Sequence, residues 1–199
     1  MCMSWIIDLQ DLNGEKNWQE VFGNQNPLKV DLGCGYGHFL LAMAQNEPGA
    51  NFIGIEVYAK GIQRAHQKIQ TRQLPNVRLL QMNALAAFST GFCANQLDAI
   101  YINFPDPWPK RRHARRRMLQ PELIKLLHDR LVVGGRIVVA TDLRNYAQDM
   151  LRLLLTQPGL QSQIPEGVSN ELADRVPTLY EEKFRRLGLA IYYVIVQKL

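Results

Sequence analysis

"PLKVDLGCGYGHFLLAMAQ", Pro27 to Gln45, decides the fold. Its first six residues, "PLKVDL" (27–32), are an apolar run of strand length. Gly33, Gly35 and Gly37 then remove side chains where backbone must turn tightly and approach a ligand. From Gly37 to Gln45, Phe39, Leu40, Met43 and Ala44 fall at helical spacing. The stretch therefore reads as strand, tight turn, helix. The same alternation continues outward. "NFIGIE" (51–56) reads as a second strand with Tyr58 to Thr71 as its helix, and "NVRLLQ" (76–81) and "QLDAIYINF" (96–104) extend the strand series. Glu122 to Leu131 reads as a helix with Pro121 in its first turn. Gly134-Gly135 ends that connection before the strand "GRIVVATD" (135–142). Leu143 to Leu155 carries an amphipathic helical pattern, and "AIYYVIVQ" (190–197) is a last strand.

Strands alternating with helices at this spacing imply a parallel sheet with helices on both faces. Ligands of such sheets sit beyond the carboxyl ends of the strands. Without an internal repeat or a linker, the chain of 199 residues reads as one domain: a lead-in over 1–26 and a core over 27–199. No apolar run approaches membrane-spanning length. The N-terminus lacks the basic start, apolar centre and small-residue cleavage site of a signal peptide. Cys2, Cys34 and Cys93 are an odd count without metal-ligand spacing, which fits a reducing cytoplasm without a disulfide or zinc site.

Charge is distributed unevenly. The net charge is +5, and Lys110 to Arg117 supply six cations among eight residues, leaving the remainder of the chain near −1. A localised strip of that kind is the footprint of a polyphosphate partner, with a solvated loop as the plain alternative. Directly before the strip stands "NFPDPWP" (103–109), whose prolines fix the backbone and hold Asp106 and the Trp108 ring in place.

Glu56 ends the second strand nineteen residues after Gly37, where an acidic group suits a ribose diol. The dinucleotide fingerprint would need a small residue at position 38, which is His38. GxGxG preceded by Asp31 instead resembles the first motif of class I S-adenosylmethionine methyltransferases. In that class Asn83-Ala84, after the third strand, would meet adenine. The Asn83 oxygen would accept from its amino group and the Ala84 N–H would donate to a ring nitrogen. "FPDPWPKRRHARRR", with the glycine motif, "FIGIE" and "WQEVFGNQNPLKVDLGCG", closely resembles the bacterial tRNA (guanine-N7-)-methyltransferase family from about Trp18 to Val196. "ATD" (140–142) and "TLYEEKF" (178–184) match further blocks of that family.

The resemblance implies an α/β, Rossmann-like class I methyltransferase with a mostly parallel seven-stranded sheet. It implies transfer of a methyl group from S-adenosylmethionine, leaving S-adenosylhomocysteine, to N7 of a variable-loop guanosine in tRNA. It implies cofactor contacts at Asp31, Gly33, Gly35, Gly37, Glu56, Asn83, Ala84 and Asp106, with Asp106 also catalytic. Substrate contacts fall at Lys110, Asp142, Thr178 and Glu181, and RNA contacts at Arg112, His113, Arg115, Arg116 and Arg117. A cytoplasmic monomer or weak homodimer without metal completes the expectation.

Several positions carry a second reading. Thr178-x-x-Glu181 is also a helix capping box. Asn83 and Asp142 stand where helix caps belong, and Trp108 is either core or a stacking platform. Asp31 replaces the Glu of many relatives and Asn83 their Asp. About thirty residues before the glycine loop leave little room for a basic arm, so the strip would carry more of the RNA contact. Rival functions are an amino-group methyltransferase on adenine or a protein amide, a silent RNA-binding module and, last, a nicotinamide dehydrogenase.

Overall fold

The computed structural model describes residues 5–7, 17–172 and 175–199; half of the 1–26 lead-in, Cys2 included, lies outside them. Eight strands form one sheet: β1 (Ile6–Ile7), β2 (Leu28–Leu32), β3 (Asn51–Glu56), β4 (Val77–Gln81), β5 (Leu97–Asn103), β6 (Leu131–Thr141), β7 (Leu160–Ser162) and β8 (Tyr192–Lys198). Their order is β1-β4-β3-β2-β5-β6-β8-β7. The first six run parallel, while β8 is antiparallel to both β6 and β7. The helices are α1 (Trp18–Phe22), α2 (His38–Asn46), α3 (Ala59–Arg72), α4 (Ala84–Thr90), α5 (Pro121–Arg130), α6 (Arg144–Leu154) and α7 (Leu179–Arg186).

Side-chain alternation along the central strands explains why both faces are covered. Leu28, Val30 and Leu32 of β2 join Ile53, Ile55, Ile100 and Ile102 in a core closed by α4, α5 and α6. Phe52, Val77 and Leu79 point the other way, into a core closed by α2 and α3. β3 and β4 are thus apolar on both sides, as buried parallel strands are, while β2 gives its second face Lys29 and Asp31. α2 packs tightly over Gly54, where a Cβ would stand 2.5 Å from Leu40 Cδ2. Trp18 of α1 is buried, and its indole N–H donates to the Gly91 carbonyl at 2.7 Å.

Three features differ from the sequence expectation. The sheet has eight strands because the two-residue β1 adds to the β4 edge. The three-residue β7 has no periodicity to announce it. β6 begins at Leu131, directly after α5, so Gly134-Gly135 lies within the strand. There it builds an irregularity, with Leu97 pairing Leu131 and Ala99 pairing Arg136. Gly134 takes φ +82°, open to glycine, and a Cβ on Gly135 would meet two carbonyl oxygens at 2.9 Å. Among the described residues no helix is long and apolar enough to cross a membrane.

Candidate active site

The carboxyl ends of β2, β3 and β5 lie side by side, and the glycine loop after β2 is tied to its neighbour. Gly33 and Cys34 N–H both donate to the Ile55 carbonyl, at 2.8 and 3.1 Å. The Glu56 carboxylate accepts from Gly35 N–H at 2.9 Å and from Val57 and Tyr58 N–H at 2.8 and 3.0 Å. A carboxylate offers about four acceptor positions. One ribose hydroxyl can therefore be added without breaking a loop bond, and a second displaces one. Gly37 caps α2 at φ +71°, where a Cβ would meet Leu41 and Ala65 within 3 Å, so a side chain there would collide with α2 and α3.

Asp31 is 3% exposed. Burial raises its pKa to about 7, against the opposing effects of the Asn103 hydrogen bond and the Arg175 charge. The Asn103 amide donates to Asp31 at 3.2 Å and, through its oxygen, accepts from Arg175. The Arg175 side chain is 5% exposed and pairs with Glu181, which is fully buried. Glu181 also accepts from Thr178 N–H and Tyr193 O–H, both at 2.6 Å, while Thr178 Oγ1 accepts from Glu181 N–H at 3.0 Å. Burial alone would push the Glu181 carboxyl up, but Arg175 and the Tyr193 and Thr178 bonds outweigh it and hold it below the ordinary range. The capping box is thus formed, and it fastens α7 to the strand ends through a chain reaching Asp31.

The block after β5 is backbone-strained. Phe104 and Trp108 take φ of +50° and +39°, left-handed values that bulky residues avoid, and each precedes a proline. Packing holds them there. Phe104 N–H donates to the Ala140 carbonyl at 2.8 Å, and its ring clusters with those of Tyr180 and Phe184, with centroids 5.6 and 5.7 Å away. Tyr146 O–H donates to the Asp106 carbonyl at 3.2 Å, and Arg117 Nε donates to that of Pro107 at 2.8 Å. The Asp106 carboxyl itself is exposed. Trp108 is half-buried rather than core, with Arg116 5.0 Å above its ring and His113 edge-on.

Three depressions result. The first, about 400 Å³, gathers Asp31, Gly33, Gly35 and Thr178 with Tyr36, Tyr58, Asn103, Phe104, Tyr180 and Lys183. A second of about 400 Å³ brings Asn83, Ala84 and Asp106 together with Trp108, Arg116 and Met118. The two meet where the Met118 methyl lies 3.4 Å from the Cβ position of Gly33. The third holds Asp142, half-buried, beside Pro107, Arg117 and Tyr192. Asn83 does cap α4: its side-chain oxygen accepts from Ala86 N–H at 2.8 Å, which leaves one lone pair for a ligand. Asp142, by contrast, precedes Leu143, the residue at the N-cap of α6.

Most of the basic strip forms a 3-10 helix, Arg111–Arg116. Lys110, Arg112, Arg115 and Arg116 are exposed and His113 is half-buried. Arg117 departs from the expectation. It turns inward, paired with Asp149 at 3.4 Å and lying 5.1 Å over Tyr146, so it clamps the proline block instead of offering its charge. Glu181 departs likewise, because its carboxylate is consumed internally. Asn103 and Lys183 stand inside the "NFPDPWP" and "TLYEEKF" blocks but were not singled out as site residues, and Arg175, outside every motif, enters the site through its contact with Asn103, distant in sequence. Among the described residues no cluster of three or more His, Cys, Asp or Glu is arranged to hold a metal ion.

Residues 25–194 match a family model described as "Putative methyltransferase". The tRNA (guanine-N(7)-)-methyltransferase of Cupriavidus pinatubonensis is 35% identical over 92% of this chain and 72% of its own. Those of Geobacter metallireducens and Brevibacillus brevis are 32% and 36% identical, covering 98% and 89% of this chain and 92% and 84% of theirs. Among solved structures, an antibiotic-related methyltransferase superposes with a TM-score of 0.67 at 16% identity, over 97% of this chain and 96% of that one. An rRNA methylase from Streptococcus thermophilus gives 0.59 at 16% identity, over 88% of each chain. At such identities the structures speak to the fold alone.

Proposed function

The chain belongs to the tRNA (guanine-N(7)-)-methyltransferase family, and from that premise we propose that it methylates N7 of a guanosine in the variable loop of tRNA. The observation that carries the site assignment is the convergence of Asp106 with Asn83 and Ala84 in one depression, joined to the glycine loop through Met118. A cytoplasmic location follows from tRNA as substrate, and residues 1–199 act as one domain.

S-adenosylmethionine, when bound, supplies an electrophilic methyl group on a sulfonium. The residues present fit it. Asp31 and the glycine loop would hold the amino-acid moiety, and Glu56 retains an acceptor position that would serve the ribose. Asn83 keeps a lone pair for the adenine amino group. Ala84 is the first residue of α4, so its N–H lacks an intrahelical partner and can donate to a ring nitrogen.

Guanine N7 carries a lone pair and no proton, so attack needs no general base at that atom. What it needs is in-line placement and stabilisation of positive charge moving onto the purine. Asp106 meets both needs by accepting from the guanine N1–H and amino group. Its backbone is fixed by Tyr146 and Arg117, so little ordering is left for the moment of reaction. Thr178 and Asp142 border depressions in which the guanosine would lie, and Lys110 is exposed next to Pro109, which lines the one that holds Asp142. Glu181 acts through Thr178 and Arg175 as a positioning residue. Arg112, His113, Arg115 and Arg116 take RNA phosphates.

Incubation of unmodified bulk tRNA with methyl-labelled S-adenosylmethionine, followed by nucleoside analysis, tests the reading. Label is expected in 7-methylguanosine, and Asp106→Asn is expected to lower turnover at least a hundredfold (roughly 3 kcal/mol of transition-state stabilisation) while leaving cofactor affinity near its original value. Label in any other nucleoside, or full turnover by the variant, would refute it.

A further inference from the structure

A second basic surface lies on the opposite side of the first depression from the strip. Between Glu56 and Asp98 the sequence holds no Asp or Glu, yet it holds Lys60, Arg64, Lys68, Arg72 and Arg78. Arg78 turns inward, donating to the Pro75 and Val77 carbonyls. The other four stand on α3 at intervals of four residues, which places them along one helix face. Like charges at that spacing destabilise a helix, and α3 supplies no acid to offset them. A merely solvated face is normally laced with both signs.

The face is shaped as well as charged. Arg64, Gln67, Lys68, Thr71 and Arg72 line a shallow groove of about 430 Å³. Lys68 Nζ donates to the Tyr36 carbonyl at 2.9 Å and lies 2.9 Å from His38 Nε2. The Arg64 guanidinium lies 5.1 Å over the Tyr36 ring. Tyr36 and Tyr58 are exposed, meet edge to face at 6.5 Å and line the first depression. Burial lowers the Lys68 pKa first, with the neighbouring Arg72 and Arg64 charges adding to it. Cations interleaved with exposed aromatics are the surface that nucleic acids bind: phosphates on the charges, base faces on the rings.

Topology supplies the geometry. β3 leads to α3, β5 leads to the strip, and β2 with its glycine loop lies between them in the sheet. The first depression is therefore flanked by cations on both sides. Resting on the function proposed above, we propose that the α3 face, Lys60 through Arg72, is a second phosphate-binding surface for the tRNA substrate. A nucleoside entering the depression would have its backbone held on both flanks, so the strip alone does not carry the RNA.

The test is the salt dependence of tRNA binding by the full chain, comparing wild type with the triple variant Lys60→Gln/Arg64→Gln/Arg72→Gln. All three side chains are exposed, and Lys68, which supports the glycine loop, is retained. Each lost phosphate contact lowers the slope of log K against log salt by about 0.7–0.9, so a drop of about 2 is expected. The Km for tRNA should rise about tenfold with kcat unchanged, and S-adenosylmethionine affinity should stay constant. Arg64→Lys/Arg72→Lys, which keeps the charge, should retain the wild-type slope. An unchanged slope in the triple variant overturns the α3 surface while leaving the reaction standing. A reduced slope with no 7-methylguanosine formed by the wild type sinks the reaction and leaves the surface. A wild-type chain that does not bind tRNA removes both.

Discussion

Asp31→Asn removes one proton-binding site while preserving shape, and the structure sets the size of the effect. Asp31 is 3% exposed and its pKa is raised from 3.8 to about 7, with burial the largest cause. At about 1.4 kcal/mol per unit, the ligand-free fold gives up about 4 kcal/mol between pH 4 and 7, because over that range the carboxyl ionises in the unfolded chain while it stays neutral in the folded one. The stability associated with the neutral acid is complete below the unfolded value and lost as the pH rises through the folded one. A bound sulfonium or ammonium favours the carboxylate. Cofactor binding must therefore expel a proton below pH 7, and affinity should rise up to about tenfold per pH unit before levelling near pH 7. Calorimetric titration with S-adenosylmethionine between about pH 5.5 and 7.5, in buffers of different ionisation enthalpy, counts that proton directly. Asp31→Asn should bind more weakly at pH 7.5 and show neither proton release nor pH dependence. A wild-type affinity that is flat over this range, or a pH dependence shared by the variant, would show that Asp31 is ionised in the free protein and refute the reasoning.

Two further substitutions probe the supporting structure. Glu181→Gln leaves the buried Arg175 guanidinium without its ion-pair partner, a loss of about 3–5 kcal/mol measurable by urea denaturation. Because the Glu181 carboxyl is held below its ordinary range, it contributes stability that is lost as pH falls through the folded value, so the acid limb of the stability curve should flatten in the variant; an unchanged limb would contradict the pairing. Gly54→Ala places a methyl 2.5 Å from Leu40 Cδ2 and 2.9 Å from both Cys34 Sγ and Leu79 Cδ2, an overpacking of about 1–3 kcal/mol. A melting temperature equal to wild type would mean that α2 is not seated on β3 as described.

What could be read from the chain beforehand was whatever rests on local spacing. The strands Leu28–Leu32, Asn51–Glu56 and Val77–Gln81 and the helices α2, α3, α5 and α6 fall within a residue or two of their patterns, because each buries a continuous apolar face. The Thr178–Glu181 box was visible for the same reason: its bonds join residues three apart. β1 and β7 are two and three residues long, too short for any period to show. Arg117 looked like one more member of a cationic run; its contacts with the Pro107 carbonyl, Tyr146 and Asp149, up to thirty-two residues away, turn it inward. Arg175 reaches Asn103 across seventy-two residues, and no motif spans such a gap. Net charge misled in a different way. A remainder near −1 described the average, while an acid-free stretch after Glu56 concentrated cations on α3.

The position of β8 bears on how the chain is made. β8 lies between β6 and β7, yet it is synthesised after both. During translation the long edge of β6 stays unpaired until residues 192–198 have cleared the ribosome, and β7 has nothing to join. An open parallel sheet edge of that length invites pairing with other nascent chains, so this interval is the point of greatest exposure to aggregation and to chaperone capture. Deletion of β8 alone, Tyr192–Lys198, would deprive β6, β7 and the Glu181 carboxylate of their partner at once. Loss of seven residues would then cost the sheet as a whole, and an arrested or truncated message would yield protein destined for degradation instead of a weakened enzyme.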